Sequence, residues 1–276
     1  MDNLYDIFDG QQEANEQWRE QRQAEREAVF DLADQTAASL ADPARFQQYL
    51  DIQGRFPMYS VNNALLVQAQ MPGATRLRDF DAWKGQGAFV QKGQKGVTIL
   101  EPGTPFKGDD GQMHTPYNVK RVFDITQTDA KPAPEPPRDE RQLLRALVDR
   151  SPRPCVASDQ VPEGKAAHFD GKQIFVRRGA GAPELFRDIA IEMATARGLN
   201  PFQAKCAAHL LCRQHGFEPP IQVFQSFSMP GILLSGDPQA IRGELNTIRG
   251  AADEIGKRMH RNLNPPAKTD KPVVPE

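Results

Sequence analysis

Only three cysteines occur in the 276 residues, Cys155, Cys206 and Cys212. An odd, sparse set with no framework spacing excludes a disulfide scaffold and predicts free thiols in a reducing compartment. Net charge is nearly absent: 34 basic residues against 36 acidic ones leave −2. No global basic field advertises a polyanion partner, so a nucleic-acid site has to be a local patch. Long apolar runs are missing, and none approaches the ~20 residues of a membrane span. The acidic, polar start, MDNLYDIFDGQQEANEQWRE, has no apolar core for a signal peptide. Together these absences predict a cytoplasmic protein with no membrane association.

Proline, by contrast, is plentiful, with 23 residues in clusters that mark linkers and a tail. The length suits two domains at roughly 100–200 residues each. Residues 13–40, rich in Ala, Glu, Gln and Arg and free of Gly and Pro, predict a long charged helix packed through Trp18, Val29, Leu32 and Leu40. Asp42-Pro43 predicts the N-cap and first position of a second helix. Ser60 predicts the cap of a third, ended at Pro72-Gly73. Past Pro72 the pattern turns β-rich. AFVQKGQKGVTILEP predicts a hairpin turned at Lys-Gly-Gln-Lys-Gly, and YNVKRVFDITQT a returning strand.

The Pro-rich, charged stretch DAKPAPEPPRDE predicts an extended linker. Beyond it come a helix (RQLLRALVDR), a hairpin turned at Asp170-Gly171, a helix from Pro183 to Arg197 closed by Gly198, and another ending at Gly216. A last long helix runs from Pro238 to Leu263. The predicted organisation is therefore a charged helix (1–40), a first α+β domain (41–128), a linker (129–140), a mostly helical second domain with a β-hairpin (141–263), and a disordered tail (264–276).

Residues 59–128 combine amides (Asn62, Asn63, Gln68, Gln70), aromatics (Tyr59, Phe80, Trp83, Phe89) and cations (Arg76, Arg78, Lys84, Lys92, Lys95, Lys120, Arg121). A single strand needs such ring faces for its bases, at ~1–3 kcal/mol per base, and cations along its phosphates. Amides hold phosphates or read base edges. The same residues also fit an ordinary fold, with Trp83 and Phe89 in a core and the turn lysines merely solvated.

The order of motifs points further. Tyr59-Ser60-x-x-Asn63 after a helix, Gln70-x-Pro72, Trp83 before Gly87, Val90-x-Lys92-Gly93-x-Lys95-Gly96 leading to Ile-Leu-x-Pro, and Val122-Phe-Asp124 with Gln127 fall in sequence. Over residues 45–128 this resembles the N-terminal single-stranded-DNA-binding domain of ArdC-type antirestriction proteins. Those proteins travel on plasmids and conjugative elements. The resemblance implies a bacterial mobile-element protein that binds single-stranded DNA with little sequence preference. Tyr59, Asn62, Asn63, Trp83, Gln91, Lys92, Gln94, Lys95, Lys120 and Arg121 are the expected contacts.

It also implies that a zincin-type metallopeptidase-like domain follows, with a hairpin leading into the metal helix. An H-E-x-x-H helix supplies two imidazoles four apart on one face and a glutamate as general base. Here the segment DIAIEMATARGLN carries Ile191 and Thr195 in the histidine positions and keeps Glu192. The next helix opens NPFQAKC, without an acidic third ligand. No metal and no cofactor is expected, and Glu192 is left as a remnant or as a salt-bridge residue for Arg187, Arg197 or Arg213. Cys206, His209, Cys212 and His215 recur every three residues, but steps of about 300° turn the first and last to opposite sides of a helix, so four ligands do not converge. His168 is expected at the surface. Ser226, Ser228 and Ser235 lack a nucleophile-elbow context. The expectation is a non-enzyme: a single-strand binder with a pseudo-metallopeptidase domain, protecting transferred DNA. The alternative is an interaction or inhibitory scaffold whose second domain binds a host protein, with the Trp18 helix as its best feature.

Overall fold

The structure, a computed structural model, describes residues 6–108, 110–131, 139–219 and 229–264. The fold is α+β, as expected. Most of the proposed linker, the tail beyond residue 264, and Ser226 and Ser228 lie outside the described residues. The chain forms two compact units. Unit 1 comprises Met1–Ile52, Met58–Pro134 and Pro230–Arg242; unit 2 comprises Gln53–Pro57, Glu135–Met229 and Gly243–Glu276. The charged helix thus belongs to the first unit, together with a stretch from far down the chain.

Unit 1 opens with α1 (Asp6–Ala38), a 3₁₀ turn (Ser39–Ala41) and all but the last three residues of α2 (Pro43–Arg55). Asp42 caps α2 by accepting from the N–H groups of Ala44 and Arg45 at 2.8 and 3.0 Å. α3 (Val61–Gln70) starts where the Ser60 hydroxyl accepts from Asn63 N–H. Then come β1 (Leu77–Arg78), α4 (Phe80–Gly85), β2 (Val97–Pro102), a small ribbon of β3 (Phe106–Lys107) and β4 (Met113–His114), and β5 (Tyr117–Asp124). The sheet order is β1-β5-β2, with both pairings antiparallel. Val29 and Ala33 of α1, Leu66 of α3 and Leu100 of β2 make one core cluster. Trp83, Ala88 and Ile125 make a second.

One expectation is corrected here. The Lys-Gly-Gln-Lys-Gly turn does not close a hairpin. Val90 bridges Thr128, while β2 pairs with β5. A turn signal and two apolar flanks do not fix which strand the second flank pairs with, and β5, twenty residues on, offers the longer register.

Unit 2 contains α5 (Glu140–Val148), β6 (Cys155–Ser158), β7 (Ala167–Phe169), β8 (Ile174–Arg177), α6 (Ala182–Thr195) and α7 (Pro201–Gln214). α8 (Gly231–Leu234) falls in unit 1, and α9 (Pro238–Leu263) completes the order. The β7–β8 hairpin turns as expected. Asp170 accepts from Lys172 and Gln173 N–H, and Gly171 takes φ +100°, open only to glycine at low cost. The parallel partner β6 has no period-2 signal long enough to predict. Phe186 stacks on Phe217 at 4.2 Å inside this unit, and the buried Arg258 guanidinium donates to Leu147 O at 2.9 Å.

Candidate nucleic-acid interface

The end of β5 gathers the basic and aromatic segments of unit 1. The buried Asp124 carboxylate accepts from Thr75 N–H (2.7 Å) and Arg76 N–H (2.8 Å), and from the backbone and hydroxyl of Thr126 (3.1 and 2.8 Å). Burial alone raises this carboxyl. The N–H groups of Arg76, Thr126 and Thr75 outweigh it and hold Asp124 below the ordinary carboxylate range. Gln127 completes the clasp. Its side-chain oxygen accepts from Asp124 N–H, and its amide donates to Lys95 O at 2.8 Å and Gln94 Oε1 at 3.3 Å. Gln91 N–H donates to Gln127 O, and the Gln91 side chain to Thr128 O. Phe89 N–H donates to Asp129 at 2.6 Å. The Phe-Asp-Ile-Thr-Gln-Thr run therefore pins the 75–78 strand and the 89–96 loop to one place.

That loop is exposed from Gln91 through Lys95, so Gln91, Lys92, Gln94 and Lys95 all reach solvent. Gly93, with φ +86°, permits its turn. Gly96 permits close packing, since a Cβ there would meet the Phe123 ring and Val122 O at 3.0 Å.

Several expected contacts lie elsewhere. Trp83 is 1% exposed and its indole N–H donates to Phe123 O at 2.9 Å. Its ring is in the core and offers no face to a base, a correction that follows from burial of the largest apolar side chain at hand. Two guanidiniums, Arg76 and Arg78, lie over that ring at 5.6 and 5.8 Å. Asn63 is likewise buried, its carboxamide bonded to the Leu100 backbone in both directions at 2.9 Å. Asn62 is half-buried. Lys120 is held by Asp79 and Glu101, both at 2.9 Å, and these bonds raise its pKa. Its charge is already matched. Arg121 is exposed and 3.9 Å from Glu25 of α1. Tyr59 is half-buried. Burial raises its hydroxyl pKa, and it also feels the charges of Lys120 and Asp79.

Two rings named only as part of a wider pool are better placed than Trp83. Phe80, the first residue of α4, is 50% exposed, and Phe89, past the end of α4, is 54% exposed. Arg76, Lys84, Lys92 and Lys95 are exposed around them. Arg78 is half-buried, its guanidinium at 2.8–3.1 Å from the Gln86 side-chain oxygen. Among the described residues no carboxylate forms an ion pair with any of these five cations.

In unit 2, Glu192 is buried and accepts from Phe169 N–H at 3.1 Å, with Lys165 Nζ at 3.6 Å. Its ion-pair partner is thus Lys165. Arg187 pairs with Asp188, which also accepts from Ala166 N–H, and Arg197 pairs with Glu254. Two carboxylates one helical turn apart therefore tie α6 to β7 and the residue before it. The Thr195 hydroxyl donates to Ile191 O at 3.0 Å within its own helix. His168 is half-buried on β7. Cys206, His209 and Cys212 are buried, with His215 half-buried at the helix end. Among the described residues no group of three or more His, Cys, Asp or Glu side chains is arranged to hold a metal ion. Nor is any described helix long and apolar enough to cross a membrane.

The fold is thus that of a two-unit α+β chain, with a helix-and-sheet unit and a helical unit containing a three-stranded sheet. No family profile and no curated protein matches the sequence. Among solved structures, the chain is similar to the metal-free crystal structure of the antirestriction ArdC protein from the R388 plasmid, at 16% identity and TM-score 0.46, over 74% of this chain and 85% of that one. It is similar also to the Mn(II)-bound structure of the same protein, at 17% identity and TM-score 0.49, over 78% of this chain and 98% of that one.

Proposed function

We propose that unit 1 binds single-stranded DNA with little sequence preference through the surface gathered at the end of β5. The observation that carries this is the interleaving of two half-exposed rings, Phe80 and Phe89, with Arg76, Arg78, Lys84, Lys92 and Lys95; among the described residues none of these cations forms an ion pair with a carboxylate, and only Arg78 feels one nearby, Asp79. Rings accept the faces of successive bases, and the cations follow the phosphates between them. Fixed rings at ordinary van der Waals reach need single-stranded bases, because duplex bases are already stacked. Gln91 and Gln94, exposed on the same loop, supply amide donors to phosphate or base edges. Tyr59 and Asn62 are proposed as peripheral contacts.

The biological role we infer, protection of transferred DNA from restriction by a plasmid-borne protein, is supported by the ordered motifs of residues 45–128. We further propose that unit 2 is a pseudo-metallopeptidase domain. The positions of the two zinc imidazoles hold Ile191, which has no ligand atom, and Thr195, whose hydroxyl is spent on its own helix. Glu192 holds α6 to β7. Metal analysis of the purified protein is expected to give substoichiometric zinc; a stoichiometric ion lost on substituting residues of unit 2 would overturn the pseudo-enzyme reading. For the binding claim, fluorescence anisotropy with labelled single-strand, duplex and RNA oligonucleotides across a salt series is expected to rank single-stranded DNA above duplex. Phe80→Ala with Phe89→Ala should weaken the single-strand complex about tenfold or more.

A further inference from the structure

The two outer edges of the unit 1 sheet are treated differently. β2 is closed on its outer side by α3. Asn63 bonds the N–H and C=O of Leu100, and Gln70 bonds those of Thr98, every contact at 2.9 Å. In an antiparallel pair, directly opposed residues point their peptide groups either both toward each other or both away. Leu100 faces Val119 and Thr98 faces Arg121. Because Leu100 and Thr98 turn their peptide groups away from β5, Val119 and Arg121 turn theirs away from β2. On that far side β1 pairs only with Phe123 and Asp124. Among the described residues nothing hydrogen-bonds the outward groups of Val119 and Arg121.

The space beside that open edge is a groove of about 400 Å³ lined by Trp18, Arg19, Arg22 and Arg26 of α1 with Asn118 and Val119 of β5. At ~100° per residue the three arginines fall within about 60° of one another on the helix. They continue the stripe that, one to three turns later, buries Val29, Ala33 and Ala37. The inward face of α1 therefore turns cationic where it passes the edge of β5. Like charges at i and i+4 destabilise a helix, and among the described residues no carboxylate pairs with any of the three. Trp18, 57% exposed, has Arg22 over its ring at 5.1 Å. Tyr117 packs against Phe30 of α1, and Arg121 reaches Glu25 of α1. Odd-numbered positions of β5 thus share the face that α1 covers.

We infer that this groove docks an extended acidic peptide segment of a partner protein, which adds as a strand to the free edge of β5. The backbone of the added strand takes up the alternating donors and acceptors of Val119 and Arg121. Every second side chain, on the face toward α1, meets Arg19, Arg22 and Arg26, so carboxylates at alternate positions are the matching chemistry. Trp18 covers an apolar residue at one end. A nucleic acid satisfies the arginines but has no alternating N–H and C=O groups to pair with the edge. The site shares no residue with the surface proposed for DNA and does not depend on it.

The test uses the full chain and a fluorescein-labelled peptide of alternating Glu and Val, eight residues long. Binding is expected by anisotropy, with the amides of Val119 and Arg121 gaining hydrogen-exchange protection. Arg22→Glu with Arg26→Glu should weaken it at least tenfold while leaving the circular dichroism spectrum unchanged. A peptide N-methylated at alternate amides should lose binding without any change to the protein. Equal binding of the N-methylated peptide, equal binding of an alternating Lys-Val peptide, or no binding of the Glu-Val peptide overturns the inference. So does protection of the Val119 and Arg121 amides by a single-stranded oligonucleotide, which would make the groove a nucleic-acid site.

Discussion

The carboxamide of Asn63 exchanges two hydrogen bonds with the backbone of Leu100, donating to its carbonyl and accepting from its N–H, both at 2.9 Å. One side chain thereby does for the edge of β2 what a neighbouring strand would do. Asn63→Ala strands a buried N–H and C=O, each worth ~1–3 kcal/mol when left unmade. The substitution is expected to cost roughly 2–4 kcal/mol in urea unfolding. Single-strand affinity of the remaining folded protein should stay within twofold of the parent, since Asn63 does not reach the surface.

Asp124 carries the other prediction for unit 1. Its folded pKa is held below the unfolded one by the N–H groups around it. Such a group stabilises the fold above its unfolded pKa of ~3.9, and that contribution is lost as pH falls through the folded value. Unit 1 should therefore hold its Asp124 clasp to about pH 4 and lose it below. Asp124→Ala should release the 75–78 strand and the 89–96 loop together. It should destabilise by about 2–4 kcal/mol and raise amide exchange at Thr75, Arg76 and Gln91 in one step.

Why the fold was legible and the site less so can be read from single residues. Caps and breakers act locally, so Asp42, Ser60, Gly171 and Gly198 mark their elements without tertiary information. Pairing is not local. Nothing within Val90–Gly96 says that Val90 will bridge Thr128 and that β2 will pair with β5. The same holds for chemistry. Trp83 and Phe80 carry equal claims to stack on a base until the Phe123 carbonyl captures the indole N–H. Lys120 reads as a free cation until the sheet brings Glu101 opposite Asn118, two residue pairs along, and the cap of α4 brings Asp79. Glu192 looked like a remnant because its partner, Phe169 N–H, is 23 residues distant and belongs to the backbone.

Unit 2 has its own acid sensitivity. Burial beside Phe186 lowers the pKa of His215 from 6.5 to about 4. The unfolded chain binds this proton first as pH falls, so stability is full above ~6.5 and declines until about pH 4. The loss approaches roughly 3 kcal/mol over that window. His215→Leu should flatten the dependence of the unfolding midpoint between pH 7 and pH 5, monitored by hydrogen exchange in α7. An unchanged slope would place the acid-sensitive group elsewhere.

The most direct measurement is the salt dependence of single-stranded DNA binding for two variants measured side by side. Lys92→Ala with Lys95→Ala removes two unmatched cations from the exposed loop. It should weaken binding and lower the slope of log K against log salt by about 1.4, at ~0.7 per phosphate contact on a single strand. Lys120→Ala removes a cation already held by Asp79 and Glu101 and should leave the slope unchanged. A double variant that binds as the parent does, or a Lys120 variant that loses the larger share of the slope, would contradict the placement of the DNA site at the end of β5.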